Sequence, residues 1–424
     1  MQKTYIRLFL LALQLPEIAT ACLFHAAGAT EVDAYKTINN ERRSLPTEAE
    51  RTAIQDVRVF DGSKFSLPQT VCLDGGYIVN LNGCHTSSEM INGTGKFLIP
   101  GLIESHTHLN DVQSLESITS YGVTTVHQMN CRNTTRCDSM KNQPGLASFF
   151  RAGMSAVGSG SMHEKQDPTR PKDTLIYPDT NVTQFTEWQF RNGSDFHKIT
   201  AEANGPSLEQ QIEMVQTAHS QYQRQTMTHA SSIMAYQQAA GSLTDGIQHI
   251  PDDGILDAST IRKIRDQNQF VTPTLNVFEY AYKDPVLQLF FGIEPGSNRS
   301  LENAETNSRL LYQGGVTIVA GTDAVGSMSV NGTEATVPFG LTLHYELQNF
   351  VNIVGMSPAE AINAATRVAA KWQRIPDRGS IEVGKRADLV MLNSNPLLNI
   401  SNTLDIEKSW VAGVEVSYIT KLST

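Results

Sequence analysis

The sequence predicts an α/β protein: a (β/α)8 TIM barrel with a small β-sandwich domain built from both termini. Eight strand-like apolar runs alternate with helical stretches through the middle of the chain, as in a closed parallel barrel. Short β-rich runs occur near both ends of the chain. The length of 424 residues suits a barrel with a modest second domain.

The apolar runs mark the predicted barrel strands. They span residues 98–105, 122–129, 154–158, 196–200, 226–230, 246–250, 270–275 and 316–320. Helical signals lie between most of them, and the clearest begins at Ser207, an N-cap residue followed by Glu209 in the first turn. Because eight alternations match the eight units of a closed barrel, this fold is favoured over an open sheet.

The two ends of the chain predict the second domain. Runs 57–60, 70–73 and 77–81 near the start, and 388–392 and 409–416 near the end, are short and bounded by turn residues. The expected divisions are a signal peptide at 1–29, the first part of the β-sandwich domain at 30–97, the barrel at 98–372 and the second part of the β-sandwich domain at 373–424.

The first residues are typical of a secretory signal peptide. Lys3 and Arg7 flank the start of an apolar run at 8–13, and small residues follow, so that cleavage is expected after Ala21 or Ala29. The alternative is a buried N-terminal helix, although a proline interrupts the run. We therefore expect a secreted, extracellular protein.

Cysteines and glycosylation motifs agree with export. With Cys22 near or inside the removed segment, four cysteines remain, and their short spacings favour the pairs Cys72–Cys84 and Cys131–Cys137 among three connectivities. Asn-x-Ser/Thr motifs mark candidate glycosylation sites at Asn92, Asn133, Asn181, Asn192, Asn298, Asn331 and Asn399.

The charge of the chain limits its partners. A net charge of −10 argues against nucleic acid, because phosphates require a basic surface. After the leader, no stretch is both apolar and long enough to predict a membrane span. The expected partner is a small molecule.

Metal-binding residue types fall where the predicted strands end, which is where barrels of this kind place their active sites. The first strand ends in His106 and His108, and the spacing of two puts both imidazoles on one side of an extended chain. Later strands end at His229, His249 and Asp323. A lone strand histidine is usually a hydrogen-bonded core residue, but burying all five groups without a metal would be costly. The pattern predicts a metal site.

Together these motifs resemble the amidohydrolase superfamily. The resemblance covers most of the chain and rests on Pro100–His108, Lys198, His229, His249 and Gly321–Asp323, with the terminal motifs Val59–Gly62, Ser357–Thr366 and Gly379–Val390. Within the superfamily, the segments Asp195–Ile199 and Gly158–His163 are most similar to the prolidase-like metallocarboxypeptidases and the ochratoxinase-type amidases.

The resemblance implies two divalent metal ions. The implied ligands are His106, His108 and Asp323 for the more buried ion, and His229 with His249 for the more exposed one. Lys198 is expected to bridge the ions as a carbamate formed with CO2; the alternative, an outward Lys198 with His197 inside, stays open because neighbouring strand residues face opposite sides. Zinc is the expected ion, since imidazole and carboxylate ligands suit it, with manganese or cobalt as substitutes.

The implied reaction is hydrolysis of an amide or peptide-type C–N bond, in an N-acyl amino acid or dipeptide-like substrate, by water activated between the metals. Asp323 is expected to take a proton from that water and pass it to the leaving amine. His163 is expected to donate to the developing oxyanion, the alternative being a surface histidine. His127 either lines the pocket or lies behind the ligands, and His219 and His344 are interpreted as structural.

Two departures leave the substrate open. Glu104 stands where the relatives have aspartate, and Ser231 stands where they have a histidine or tyrosine that helps to hold a substrate carboxylate. The alternatives are a mononuclear deaminase, a lactone hydrolase on the same barrel, or a binding protein without catalysis. A homo-oligomer is compatible with the sequence.

Overall fold

The computed structural model describes residues 51–84 and 89–417. The expected signal peptide lies outside these residues. Helices and strands alternate through the described chain, and most strands of its middle part pair in parallel. The α/β class predicted from the sequence is therefore confirmed.

The strands are numbered in chain order. They are β1 (Thr52–Val59), β2 (Gln69–Asp74), β3 (Tyr77–Val79), β4 (Glu89–Asn92), β5 (Phe97–Pro100), β6 (Leu102–Thr107), β7 (Val123–Gln128), β8 (Ser148–Arg151), β9 (His197–Thr200), β10 (Thr226–His229), β11 (Gly246–Gln248), β12 (Phe270–Thr272), β13 (Thr317–Ile318), β14 (Gly326–Val330), β15 (Thr333–Val337), β16 (Leu389–Leu392), β17 (Ile406–Val411) and β18 (Val414–Glu415).

The α-helices are numbered in the same way. They are α1 (Val112–Thr119), α2 (Thr134–Ser139), α3 (Met162–Gln166), α4 (Val182–Arg191), α5 (Leu208–Tyr222), α6 (Ile233–Ser242), α7 (Ala258–Asp266), α8 (Leu275–Lys283), α9 (Pro285–Phe290), α10 (Leu301–Gln313), α11 (Leu341–Asn349), α12 (Pro358–Ala364) and α13 (Arg367–Trp372). As the sequence predicts, the Ser207 side chain caps α5, in a capping box with Gln210. Within the described ranges, no helix combines the length and apolar character needed to cross a membrane.

Strands β6 to β13 run parallel in two sheets. One has the order β6-β7-β8 and the other β9-β10-β11-β12-β13. Isolated parallel bridges connect their edges, from Ala152 to Phe196 and from Thr107 to Ala324. Because parallel strands end at the same edge, this arrangement brings the residues that follow them together.

Strands from both ends of the chain share a separate sheet. Strand β16 pairs antiparallel with β5, where Leu389 lies opposite Pro100. The sheet runs β18-β17-β16-β5-β1-β2-β3, with β4 also on β1. The buried side chains of Leu98, Leu389 and Trp410 belong to a core distinct from that of the parallel strands. The β-rich runs near the two ends therefore fold together.

The first predicted strand, 98–105, is in fact two strands. Residues 97–100 form β5 in the terminal sheet, and residues 102–107 form β6 beside β7. Between them, a Cβ atom on Gly101 would lie 2.3 Å from Thr124 Oγ1. The close approach of the chain to β7 therefore requires glycine at this junction.

The third predicted strand was placed too late in the sequence. The strand is Ser148–Arg151, whereas the predicted residues 154–158 form only isolated bridges, at Ala156 and Gly158. This strand was not predicted because it contains the charged Arg151 and therefore does not form an apolar run. Its buried guanidinium donates to Asp138 and to the carbonyl oxygen of Asn192, at 3.0 and 2.8 Å, and these partners permit its burial.

Both favoured cysteine pairs lie at bonding distance. The Cα atoms are 5.5 Å apart in Cys72–Cys84 and 6.4 Å apart in Cys131–Cys137. The second bridge closes a loop after β7, and the adjacent Arg132 pairs with Asp167 at 2.6 Å. This contact ties the bridged loop to the residue that follows α3.

A buried histidine joins α11 to the C-terminal segment. His344 Nδ1 lies 2.9 Å from Thr403 Oγ1, and Nε2 lies 2.9 Å from the carbonyl oxygen of Tyr121. These contacts support the structural interpretation of His344. Burial lowers the pKa of His344 to about 4.

We expect His344 to make the fold sensitive to acid. Because its pKa is lower in the folded than in the unfolded chain, its contribution to stability is complete above about pH 6.5 and is lost as the pH falls towards 4. Between pH 7 and pH 5 this loss amounts to about 2 kcal/mol. Urea unfolding at both pH values should show a smaller drop for His344→Gln than for the wild type. An equal drop in the two proteins would contradict the assignment.

Candidate metal centre

Three predicted ligands meet at the end of β6. His106 lies on this strand and His108 directly follows it, and Asp323 follows β13, an edge strand of the other parallel sheet. Asp323 Oδ1 lies 3.3 Å from His106 Nε2 and 2.9 Å from His108 Nε2. All three side chains are buried. The neighbouring edges of the two sheets thus place two imidazoles and a carboxylate around one point.

Two more predicted ligands extend this group. The ring of His249 lies 4.6 Å from the ring of His106, and the ring of His229 lies 4.4 Å from that of His249. His163, at the start of α3, continues the row, with its ring 4.4 Å from His229. His229 ends β10 and His249 follows β11, so both come from strand ends, as predicted.

Lys198 lies on β9 among these residues. Its side chain is buried, and its charge, after the larger effect of burial, helps to lower the pKa of His106 to about 3 and that of His249 well below the usual range. The neighbouring His197 faces the other way: its Nε2 lies 3.5 Å from Met214 Sδ on α5. Lys198, rather than His197, therefore shares the space of the histidines.

The protonation states fit metal binding. Burial favours neutral imidazoles and lowers the pKa of His108, His229 and His249, as it does for His106. Burial opposes the ionised form of Asp323, but His106 and His108 hold its pKa well below the usual range. Neutral imidazoles and an ionised carboxylate are the forms that bind a divalent cation.

The donor atoms also fit the size of an ion. The ligand atoms of His106, His108 and Asp323 all lie within 4.8 Å of one another. His106 Nε2 and Asp323 Oδ1 are buried and lie 3.3 Å apart, and neither atom forms a hydrogen bond with good geometry within the described residues. This set of nitrogen and oxygen donors suits zinc and similar cations.

Hydrogen bonds behind the ligands fix which ring nitrogens face the site. Gln248 Oε1 accepts from His106 Nδ1 at 2.8 Å, and His249 Nδ1 lies 2.9 Å from Thr274 Oγ1. Both contacts leave Nε2 for the site, as outer partners of metal-binding histidines usually do. Glu346, in turn, accepts from the backbone N–H groups that follow Thr274, so it helps to hold this turn in place.

Glu104 links β6 to the segment that carries Asp323. Its Oε1 accepts from the backbone N–H of His106 at 2.9 Å and of Thr322 at 3.0 Å, and its Oε2 accepts from the Thr322 hydroxyl. Burial raises the pKa of Glu104 to about 8, although these hydrogen bonds act to lower it. Glu104 thus supports the ligands from behind.

Unusual backbone conformations occur at the site. His249, Thr274 and Asp323 have φ angles of 72°, 53° and 58°, in the left-handed region that side chains other than glycine rarely adopt. Such positions are often functional, because the surrounding structure must hold them against strain. Here the strand ends turn sharply and so direct His249 and Asp323 towards the centre.

The remaining histidines divide by location. His163 Nδ1 lies 2.8 Å from Glu202 Oε1, and both residues line the cavity next to the ligands. The ring of His127 stacks on Phe150 at 5.3 Å and is not part of the cavity lining. His219 Nε2 lies 2.7 Å from Asp245 Oδ2, and the His219 side chain is 37% exposed. His163 is therefore the histidine beyond the predicted ligands that faces the cavity.

A cavity of about 420 Å³ lies next to the candidate metal centre. His229, His249 and Asp323 are among its polar lining residues, and Phe278 and Phe291 are among its apolar ones. Two polar residues of the cavity lining, Asp252 and Arg299, were not predicted from the sequence, and they are paired at 2.9 Å. The position of Asp252, three residues after His249, was the available signal.

Comparison with known proteins identifies the fold and the family. The family model described as "Amidohydrolase family" matches residues 97–416, about three quarters of the chain. The chain belongs to the amidohydrolase family. At this level the sequence prediction, a metal-dependent hydrolase of carbon–nitrogen bonds, is confirmed.

Solved structures show that this amidohydrolase has a TIM-barrel fold. An Xaa-Pro dipeptidase with bound methionine is 20% identical, with a TM-score of 0.71 over 86% of this chain and 99% of that one. The ochratoxinase of A. niger is 18% identical, with a TM-score of 0.70 over 88% and 96%. Molinate hydrolase is 20% identical, with a TM-score of 0.70 over 87% and 95%.

One sequence relative matches over a shorter region. Imidazolonepropionase of Deinococcus deserti is 29% identical over 128 residues. The aligned part spans 29% of the amidohydrolase chain and 30% of that relative. This similarity agrees with the family assignment.

Proposed function

We propose that the chain is a secreted, binuclear amidohydrolase that cleaves the amide bond of an N-acyl amino acid or a dipeptide-like substrate. The observation that carries the proposal is the continuous group of His106, His108, Asp323, His249 and His229 at the strand ends. Lys198 lies among them, and the cavity opens beside them. Secretion rests on the leader, the glycosylation motifs and the paired cysteines.

The proposal includes the architecture. We infer that β6 to β13 form a single closed barrel, since bridges connect both pairs of sheet edges. We also infer that the terminal sheet folds into a β-sandwich, because β1 pairs with β2 and β4 along its first half and with β5 at its end. In a barrel, the strand ends that carry the candidate ligands would surround one site.

The candidate ligands provide for two cations. One would be held by His106, His108 and Asp323, and the other by His229 with His249. Lys198, carboxylated by CO2, would bridge them; an unmodified ammonium at the same place would repel both. Divalent cations bound here would supply Lewis acidity, which lowers the pKa of water and polarises a carbonyl group. Zinc suits these donors.

Two residues would move protons and stabilise charge. Asp323, ionised in the folded protein, accepts a proton from the attacking water and transfers it to the leaving amine nitrogen. His163, held by Glu202 through Nδ1, presents Nε2 to the substrate oxygen as negative charge develops there. The water oxygen first adds to the carbonyl carbon, and the C–N bond then breaks as the amine nitrogen takes up the proton. The products are a carboxylic acid and an amine.

The cavity and the relatives support an amide substrate. The relatives' names refer to a dipeptidase, an ochratoxinase and a molinate hydrolase. The cavity is within the size range of small-molecule sites. Ser231 lines it, and the sequence resemblance implies a larger residue at this position in the prolidase-like proteins, so we do not propose strict dipeptide specificity.

Elemental analysis combined with an activity panel tests the proposal. The purified chain should contain two divalent cations and should cleave N-acyl amino acids or dipeptides, and chelation should abolish activity. One cation per chain with release of ammonia from a cyclic amidine would favour the deaminase alternative. Selective hydrolysis of lactones would favour the lactonase alternative. Two bound metals without turnover of any substrate in the panel would favour a binding protein.

A further inference from the structure

The cavity is lined by polar and by apolar residues. The apolar lining comes from α8 and from the segment after α9. Its residues are Val277, Phe278, Ala281, Phe291 and Ile293. Such a surface stabilises an apolar group of a substrate in proportion to the apolar area removed from water. It provides no partner for a charge.

Most charged groups that line the cavity are already paired within the protein. Glu202 is paired with His163 at 2.8 Å. Arg299 binds Asp252 and also donates to the carbonyl oxygen of Phe291, at 2.7 Å. These groups are occupied by contacts with one another. They are therefore poorly suited to bind a charged substrate group.

Lys165 differs from the other cations of the cavity. It lies on α3, two residues after His163, is exposed, and lines the cavity. Across the ranges 51–84 and 89–417, its ammonium forms no hydrogen bond or ion pair. A flexible ammonium next to a site that binds small molecules can bind a carboxylate without first breaking a contact.

We propose that Lys165 binds the free carboxylate of the substrate, while the apolar lining residues of the cavity receive the substrate's hydrophobic group. This inference rests on the proposed function and narrows it to acylated amino acids with an apolar side chain. It also assigns a carboxylate-binding role to α3. The segment that carries His163 would then contact both the scissile group and the carboxylate.

Paired substrates test the role of Lys165. N-acetyl-L-phenylalanine carries a charged carboxylate, and N-acetyl-L-phenylalaninamide carries a neutral carboxamide in its place. The wild type should favour the acid in kcat/KM, and Lys165→Met should reduce this acid-to-amide ratio by about 10- to 100-fold, the range for a hydrogen bond to a charged group. Lys165→Arg should restore part of the ratio. Lys263→Met, which removes an exposed lysine from α7 outside the cavity lining, is the matched control.

Two outcomes would overturn the inference. Either the ratio is the same in the wild type and Lys165→Met, or Lys263→Met reduces it equally. If the wild type cleaves neither compound, the proposed function fails for this class, and calorimetry then tests Lys165 by itself. Tighter binding of the acid than of the amide, lost in Lys165→Met, would support the site; equal or absent binding of both compounds would contradict it.

Discussion

Replacement of Asp323 by asparagine is expected to lower kcat/KM by about 10⁴-fold, because this carboxylate has two roles. It contacts His106 and His108, with its Oδ1 atom 3.3 and 2.9 Å from their Nε2 atoms. It is also the group that would carry the proton from water to the leaving amine. Asparagine keeps the shape of the side chain but is neutral and cannot act as a base. Steady-state kinetics and elemental analysis measure the effect.

Asp253→Asn is the matched control for this substitution. Asp253 also lines the cavity, but its Oδ1 accepts from the backbone N–H of Ile233 at 2.8 Å, and asparagine can keep that contact. We expect less than a tenfold change in kcat/KM for the control. Similar activities for Asp323→Asn and the wild type would contradict the assigned role of Asp323.

Replacement of Lys198 by alanine is expected to lower activity by about 10³-fold and to reduce the metal content from two ions to one or none. The side chain is buried among the histidines, and no other described lysine is proposed to bridge the two cations. Short carboxylic acids such as acetate or propionate should restore part of the activity, because they can take the place of the missing carbamate.

The neighbouring histidine provides the control for Lys198. His197 is buried on the opposite side of β9, against Met214, so His197→Gln should change stability more than metal content. Two ions and full activity in Lys198→Ala would refute the binuclear account. Loss of activity without rescue, and with both ions retained, would refute the bridging carbamate.

The strand periodicity made most of the site predictable. His106 and His108 are two residues apart, so an extended chain must place them on one side, and parallel strands must bring His229, His249 and Asp323 to the same edge. The choice between His197 and Lys198 was different, because strand alternation alone does not say which side faces inward. The helix packed outside β9 decides it: Met214 of α5 lies against His197.

Other features depend on tertiary contacts that no local pattern contains. Strand β8 was missed because Arg151 is charged, yet distant partners allow its burial. The left-handed turn at Thr274 depends on Glu346, some 70 residues away in the sequence. The pair of Asp252 with Arg299 joins segments 47 residues apart. Sequence analysis therefore identified the residues at the centre of the site better than those that shape its cavity.

Anomalous diffraction from crystals grown with zinc tests the central claim most directly, since it locates each cation without reference to activity. We expect two peaks about 3.5–4 Å apart, one against His106, His108 and Asp323 and the other against His229 and His249. Electron density should extend beyond Lys198 Nζ towards both. A single peak, or two peaks without Lys198 between them, would contradict the proposed centre.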